Sequence, residues 1–267
     1  MKNLNIACGS RYHKDWINID FYSDSKNVRG LNILDGLPFE DQSIDAIYSS
    51  HFLEHLKVEE AKFVLKESHR ILKPLGVIRI VVPDLENVCR EYLKNLEKVG
   101  QDEESKKKYD WIVVELLDQM TRDVSRGKMG KMFDDTITRN DTFLSEYILH
   151  RTGDDLLSDS KKNQKKKITI GKIKNKLLYT YIDLIKMLVP QNIRKLIFVN
   201  TPVGEKHKWM YDKYSLSAML KEENFKDITI ESFNTSRIKN FESYYLDNNL
   251  DGSSYKGIHS LYIEAIR

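Results

Sequence analysis

Residues 77–82 read VIRIVV, and this run constrains the fold more than any other segment of the chain. Five of its six side chains are apolar, the exception being Arg79, and Pro83 ends the run. A strand with apolar residues on both faces is typical of a parallel sheet that helices cover on both sides. The sequence therefore predicts a layered α/β protein built around this strand.

Further apolar runs support this architecture. A helix is predicted at 58–72, because apolar residues recur there at helical spacing. Strands separated by helices imply crossover connections, so we predict a doubly wound, mostly parallel, Rossmann-like sheet of seven strands. The predicted strands are 4–7, 16–20, 31–34, 46–50, 77–82, 228–233 and 260–266, and a second helix is predicted at 215–224.

The middle of the chain differs in composition. Residues 85–99 and 109–120 carry helical patterns, and residues 161–176 contain eight lysines. We interpret 87–199 as a helical insertion, or lid, with a basic loop, and 1–86 with 200–267 as the core of the fold. A solvated basic loop is the preferred explanation of these lysines. The alternative is a surface that contacts an anionic substrate or, peripherally, a membrane.

Composition excludes several classes of protein. Two cysteines in 267 residues exclude a disulfide-rich secreted scaffold and a cysteine-rich zinc module. A net charge of +3, from 43 basic and 40 acidic residues, argues against a dedicated nucleic-acid-binding protein. No apolar run approaches the length of a transmembrane helix, and the start MKNLNIACGS is typical of a strand rather than a signal peptide. We therefore expect a cytoplasmic protein.

The residues that follow the predicted strands indicate the ligand, since open α/β sheets bind ligands beyond the carboxyl ends of their strands. A dinucleotide site needs G-x-G-x-x-G and an acid about twenty residues later. Here only Gly9 is present, and Asp20 follows it after eleven residues. A ligand without phosphates fits better, with a ribose diol at Asp20, an adenine amine at Asp35 and a cationic sulfonium. These features indicate S-adenosylmethionine.

Five segments carry a combined pattern: LNIACGSRYHKDWINID (4–20), LDGLPFEDQSIDAIYSSHFLEHL (34–56), EAKFVLKESHRILKPLGVIRIVVPDLE (60–86), HKWMYDKYSLSAMLKEENF (207–225) and HSLYIEAIR (259–267). Together they resemble the class I S-adenosylmethionine-dependent methyltransferases, and most closely the branch found in surface-polysaccharide and capsule gene clusters. Two positions depart from the family pattern. Ala7 replaces a glycine, and Leu75 stands in the usual K-P-G-G turn, which we therefore expect to differ.

The resemblance implies a set of cofactor contacts. Small residues after the first strand would line the methionine moiety, and the first acid would bind the ribose. The second acid and its neighbours would frame the adenine, and two residues after the fourth strand would lie near the reactive methyl. In that order the residues are Ala7, Cys8 and Gly9; Asp20; Asp35, Gly36 and Leu37; and Ser50 and His51. The alternatives are a surface carboxylate for Asp20 and a turn residue for Asp35.

Three residues are candidates for catalysis. A hydroxyl acceptor needs a general base, and histidine is the usual choice. His51 directly follows the fourth strand, His207 precedes the helix at 215–224, and Asp84 follows the fifth strand. Helix capping is the alternative role for His51 and Asp84.

Residues 51–55 also form the pattern H-x-x-E-H of inverted zinc proteases. They are similar, too, to the E-x-x-E-H pattern with a later histidine by which some small-RNA and ubiquinone methyltransferases hold a divalent ion. His51, Glu54, His55 and His207 occupy comparable positions, and this spacing places the first three on one face of a helix. Because His51 replaces the first glutamate, a divalent metal is possible but not expected.

The predicted function is an O-methyltransferase for a small-molecule or saccharide precursor of a surface glycan. The acceptor would be a sugar hydroxyl, or a phosphate or phosphoramidate oxygen of a capsule modification. An anionic or carbohydrate acceptor suits a mixed cationic and aromatic group, with aromatic packing as the alternative; its members are Lys206, His207, Lys208, Trp209 and Tyr211. Two other hypotheses remain: an RNA-end methyltransferase with a divalent metal, and a non-catalytic scaffold subunit. No nucleic-acid partner is expected.

Overall fold

The run VIRIVV lies inside a seven-stranded sheet in the computed structural model, which describes residues 1–23, 25–158, 180–181, 185, 189–190 and 204–267. The strand order is β3-β2-β1-β4-β5-β7-β6. All pairings up to β5 are parallel, and β7 runs antiparallel to both of its neighbours, β5 and β6. The predicted doubly wound, mostly parallel fold is confirmed. The strands are β1 (Asn3–Ile6), β2 (Ile17–Asp20), β3 (Val28–Gly30), β4 (Ile44–Ser50), β5 (Leu72–Pro83), β6 (Lys226–Glu231) and β7 (Ser260–Ile266).

The direction of the chain through the sheet reverses beside β1. From β1 the chain proceeds to β2 and β3 on one side, and it then returns to place β4 and β5 on the other. In open α/β sheets this reversal leaves a crevice at the carboxyl ends of the two strands that flank it. The ends of β1 and β4 therefore mark the expected ligand site.

Helices cover the sheet and fill the middle of the chain. Helix α1 buries one apolar face, as its periodicity predicts, and its first turn carries acidic residues that favour the helix N-terminus. The helices observed at 85–96 and 213–222 lie within three residues of the predicted 85–99 and 215–224, and the helix at 103–121 begins six residues before the predicted 109–120. The helices at 127–139 and 142–152 were not predicted separately, only as part of a helical insertion over 87–199. The α-helices are α1 (Val58–Ile71), α2 (Leu85–Leu96), α3 (Glu103–Thr121), α4 (Gly127–Arg139), α5 (Thr142–Thr152) and α6 (Lys213–Glu222). Short 3-10 helices span Ile33–Asp35, Leu53–His55 and Phe241–Tyr244.

The prediction of a strand at 31–34 is wrong. Strand β3 ends at Gly30, and residues 33–35 form a 3-10 helix instead. The Asn32 side chain accepts a hydrogen bond from the backbone N–H of Leu34 at 3.2 Å, which caps this helix. An asparagine that bonds to nearby backbone competes with strand pairing, and the apolar pattern of Leu31, Ile33 and Leu34 did not show this.

The K-P-L-G turn was expected to differ because Leu75 replaces a glycine, but its backbone keeps a conformation that glycine favours. Leu75 takes a positive φ of 64°, a conformation that glycine favours. Its side chain is 80% exposed, so neighbouring residues do not restrict it. The turn lies within β5, which begins at Leu72.

Apolar residues form two clusters on opposite faces of the sheet, as strand alternation requires. On one face Ile47, Ile80 and Ile263 pack with α1 and α6. On the other face Tyr48 and Tyr262, with Val81, pack around Trp16 and Phe241. A third, smaller cluster lies among the helices of the middle segment and contains Trp111, Leu144, Ile148 and Leu156.

The predicted basic loop cannot be compared with the structure, because the lysine-rich run at 161–176 lies outside the described residues. Most of the stretch that follows it lies outside them as well. Among the helices that are described, none has the length and apolar character needed to cross a bilayer.

Candidate active site

A cavity of about 210 Å³ lies at the carboxyl ends of β1 and β4, where the strand order predicts a ligand. The loop after β1 forms one wall, the end of β4 a second, and residues that precede β7 a third. The cavity brings together five of the predicted cofactor residues, which are Ala7, Cys8, Gly9, Ser50 and His51. Its other lining residues are Ser10, Arg11, Tyr48, Leu246, Tyr255 and Lys256.

The loop after β1 is held in a tight, left-handed conformation. Ala7 and Gly9 both have a φ of 53°. The backbone N–H of Gly9 donates to Asp20 Oδ2 at 2.7 Å, which ties the loop to the end of β2. Burial raises the pKa of the Cys8 thiol to about 12, so this side chain is a neutral part of the wall.

The residues predicted around adenine do not line this cavity. Asp35 is exposed, and Gly36 has a φ of 101° at the end of the 3-10 helix. The Leu37 side chain is buried in the core, and its backbone N–H donates to Glu67 Oε2 at 3.0 Å. These three residues follow β3 in the chain and are not among the residues that line the first cavity.

A second cavity of about 140 Å³ adjoins the first one and lies under the helices of the middle segment. The two cavities share His51 and Lys256. The remaining residues of the second cavity are Pro83, Val88, Glu115, Gln119, Met129, Thr152, Asp154, His207, Met210 and His259. Two of the three predicted catalytic residues, His51 and His207, therefore face one space.

His51 is held by contacts on both of its ring nitrogens. Nε2 lies 3.0 Å from Ser260 Oγ, and Nδ1 lies 3.5 Å from Glu54 Oε1. Its ring centroid is 5.6 Å from that of His259. Burial, reinforced by the nearby charge of Lys256, lowers the pKa of His51 well below its usual value. The imidazole is therefore neutral at physiological pH, which is the form that accepts a proton.

Glu54 lies beneath this histidine and is fully buried. Among the described residues, neither carboxyl oxygen has a hydrogen-bond partner, and burial raises the pKa of the side chain to about 8. Glu54, His55 and His207 each offer a ligand atom, and these atoms lie within 4.8 Å of one another. Oxygen and imidazole donors of this kind suit Zn²⁺ or a similar ion, so this group could hold a metal.

The segment around His207 divides into buried and exposed side chains. The backbone N–H of His207 donates to the Gln119 carbonyl at 2.9 Å, and that of Lys208 donates to the Glu54 carbonyl at 2.7 Å. Burial lowers the pKa of His207 to about 3. Trp209 is exposed and Tyr211 is buried, so the predicted cationic and aromatic group does not form one surface.

Asp84, the third predicted catalytic residue, caps a helix. Its side chain accepts a hydrogen bond from the backbone N–H of Glu86 at 3.0 Å, at the start of α2. Its own N–H donates to the His259 carbonyl at 2.7 Å. Asp84 is not among the residues that line the two cavities.

Arg11, Tyr255, Lys256 and His259 line the cavities but were not predicted as site residues. Arg11 and His259 lie in segments 4–20 and 259–267, whose pattern assigned neither of them a role. Tyr255 and Lys256 precede β7 in a segment without regular periodicity, and a single lysine in a lysine-rich sequence gives no signal of its own.

Part of the sequence matches a known protein family, and the chain is similar to several solved structures. Residues 6–80 match the family described as methyltransferase domain. The chain is similar to the structure of a SAM dependent methyltransferase from Archaeoglobus fulgidus, at 13% identity and a TM-score of 0.41, covering 100% of this chain and 86% of that one. It is also similar to a Thermotoga maritima SAM-dependent methyltransferase described as a possible histamine N-methyltransferase, at 10% identity and a TM-score of 0.40, covering 99% and 81%. No curated protein matches the sequence.

The family match begins at Ile6, the last residue of β1, and ends at Ile80 within β5. It includes the β1 loop and the end of β4, which form two walls of the first cavity, whereas the third wall lies outside it. Small residues and a left-handed loop leave room for a ligand at the end of β1. Residues 6–80 thus match a methyltransferase domain within a seven-stranded, mostly parallel sheet.

Proposed function

We propose that the protein is an O-methyltransferase for a small-molecule or saccharide precursor of a surface glycan. The methylated atom would be a sugar hydroxyl, or a phosphate or phosphoramidate oxygen of a capsule modification. One observation carries the proposal: the two adjoining cavities share His51 and Lys256. A cofactor in the first cavity and an acceptor in the second would meet at these two side chains.

In this proposal the first cavity holds the methionine part of the cofactor, against Ala7, Cys8 and Gly9. Asp20 fixes the loop through Gly9, and its carboxylate also faces the ribose. Residues 35–37, which follow β3 in the chain, frame the adenine. S-adenosylmethionine, when bound, supplies an electrophilic methyl group.

His51 acts as the general base toward a hydroxyl acceptor. Its neutral ring takes the proton as the oxygen forms its bond to the methyl group, and Ser260 and Glu54 hold the ring in place. A phosphate oxygen is already ionised and needs no base. His207 lines the same cavity and is the second candidate base, whereas Asp84 keeps a capping role.

The segment 87–199 serves as the lid of the acceptor site in this proposal. Val88 on α2, Glu115 on α3, Met129 on α4 and Thr152 on α5 all line the second cavity. Helices that lie outside the methyltransferase-domain match therefore supply much of the acceptor wall.

The test is methyl transfer to a panel of sugars, nucleotide sugars and phosphorylated capsule precursors, measured by mass spectrometry. At least one acceptor should gain the mass of one methyl group while S-adenosylhomocysteine accumulates. His51→Ala provides the matched control, because it should retain the cofactor site but lose turnover with a hydroxyl acceptor. A panel in which no saccharide gains a methyl group contradicts the proposal.

The group Glu54, His55 and His207 favours a second candidate, an RNA-end methyltransferase with a divalent metal. This candidate predicts RNA affinity that falls steeply as salt rises, because phosphate contacts release counterions. It also predicts that a chelator abolishes methyl transfer. RNA binding that is indifferent to salt, with turnover in the presence of a chelator, excludes it.

A further inference from the structure

Lys256 lies at the junction of the two cavities. Within the described part of the chain, its ammonium group has no hydrogen bond and no ion pair. Its Nζ atom lies 5.2 Å from the centroid of the Tyr255 ring. Burial lowers the pKa of Lys256, which reflects the cost of withdrawing an ammonium group from water. Such a side chain is stabilised when an anion binds beside it.

Two acids, Glu115 and Asp154, line the second cavity together with Lys256. Neither of those acids forms an ion pair with Lys256. Glu115 is engaged by Arg151, whose Nη2 donates to Oε1 at 2.6 Å, and by Trp111 at 2.8 Å. Asp154 is exposed at the rim and accepts a hydrogen bond from the Thr152 hydroxyl at 2.9 Å. Among the described residues, Lys256 therefore brings to the second cavity a cation that neither of these acids pairs with.

Arg11 supplies a separate cation to the first cavity. Its guanidinium lies 4.1 Å from the centroid of the Tyr255 ring, and Nη2 donates to the Asn248 carbonyl at 2.6 Å. Arg11 lines the first cavity only, whereas Lys256 lines both. The cofactor's own carboxylate can thus be met by Arg11, which leaves Lys256 for a different anion.

We propose that Lys256 binds an anionic group of the methyl acceptor, a carboxylate or a phosphate that lies next to the methylated oxygen. The substrate class is then an acidic acceptor, such as a uronate or a sugar phosphate, rather than a neutral sugar. This inference rests on the proposed function, because it takes the second cavity as the acceptor site.

The first experiment measures binding to the full chain saturated with S-adenosylhomocysteine, by calorimetry. The probes are glucuronate for the carboxylate, inorganic phosphate for the phosphate, and glucose as the neutral match for glucuronate. At least one anion should bind about 10-fold more tightly than glucose, and Lys256→Met should remove that advantage. Lys239→Met, at an exposed position, is the matched control and should leave it unchanged. Equal affinity for anions and glucose, or anion binding that survives Lys256→Met, overturns the inference.

A second experiment separates the acceptor from the cofactor as the anion at Lys256. S-adenosylhomocysteine carries the methionine carboxylate, and 5′-methylthioadenosine lacks it. Lys256→Met should leave the affinity for both compounds unchanged, which also shows that the variant is folded. A selective loss of S-adenosylhomocysteine affinity would assign Lys256 to the cofactor and overturn the inference. Failure of the proposed function looks different: anion binding would depend on Lys256 while no saccharide became methylated.

Discussion

Arg79 Nε lies 2.7 Å from Asp247 Oδ2, and both side chains are completely buried. Arg79 also donates to Glu264 Oε1 at 2.9 Å and to two backbone carbonyls. The charge that interrupts the apolar run of β5 thus binds the segment before β7, which carries Tyr255 and Lys256. A single arginine in the sheet interior connects the fold to the wall of the site.

Asp247→Asn should destabilise the protein strongly. The change removes one of the two carboxylates that bind Arg79 and the charged acceptor of the Tyr48 hydroxyl, while Glu264 still pairs with the arginine. Loss of a hydrogen bond to a charged group costs about 1.5–3 kcal/mol of unfolding free energy. Urea unfolding followed by circular dichroism measures the change. Asp251→Asn is the control, since Asp251 is exposed and, among the described residues, bonds to Ser253. Equal stabilities of the two variants would show that the buried pair does not hold this segment.

His51→Ala should lower kcat by about 10²–10⁴ with a hydroxyl acceptor, because general base catalysis typically contributes that factor. Binding of S-adenosylhomocysteine should persist, as measured by calorimetry. His150→Ala, at an exposed position on α5, should keep wild-type turnover. Wild-type kcat in the His51 variant would remove this residue from the mechanism.

Asp20→Asn should weaken cofactor binding by about 10-fold or more, because it removes a charged hydrogen-bond acceptor worth roughly 1.5–3 kcal/mol. The structural cause is the bond from Gly9 N–H to Asp20 Oδ2, which fixes the β1 loop. Affinity for S-adenosylhomocysteine is the measurement. Asp15→Asn, at an exposed position before β2, is the control. The prediction fails if both variants bind equally well.

Glu54→Gln should change how stability depends on pH. Burial raises the pKa of Glu54 from its ordinary 4.5 to about 8, so between these values the folded protein keeps a proton that the unfolded chain releases. The stability contributed by this group is therefore present below pH 4.5 and is lost as pH rises toward 8. Thermal unfolding between pH 5 and pH 8, with a chelator present, should show a smaller fall in Tm for the variant. An equal fall in Tm between pH 5 and pH 8 for the variant and the wild type would contradict this prediction.

Gly257→Ala should displace Lys256 and weaken anion binding at the acceptor site. Gly257 has a φ of 66°, and an added Cβ would collide with the Arg151 carbonyl. Gly252→Ala is a matched control, because its φ of 81° carries the same backbone strain with no atom within 4 Å. Thermal unfolding and glucuronate calorimetry compare the two. Identical behaviour would show that the close approach at Gly257 does not position Lys256.

The spacing of apolar residues predicted most of the fold, because in α1, β4 and β5 this spacing matches the positions of the buried side chains. It failed at residues 31–34, where the hydrogen bond of one asparagine outweighed an apolar run. His51 was predicted because a strand end places the next residue at the ligand site. Lys256 and Asp247 were not, since their roles depend on contacts across more than 160 residues.

The end of α5 and the segment before β7 meet without room for side chains. Gly153 faces the Tyr255 carbonyl, Gly257 faces the Arg151 carbonyl, and Ile258 and His259 donate backbone hydrogen bonds to residues 150 and 151. This contact couples the helices that line the second cavity to the C-terminal segment that carries Lys256. A chimera that exchanges the helices for those of a relative would need the matching residues 253–259, so new acceptor specificity would evolve by paired changes in both segments.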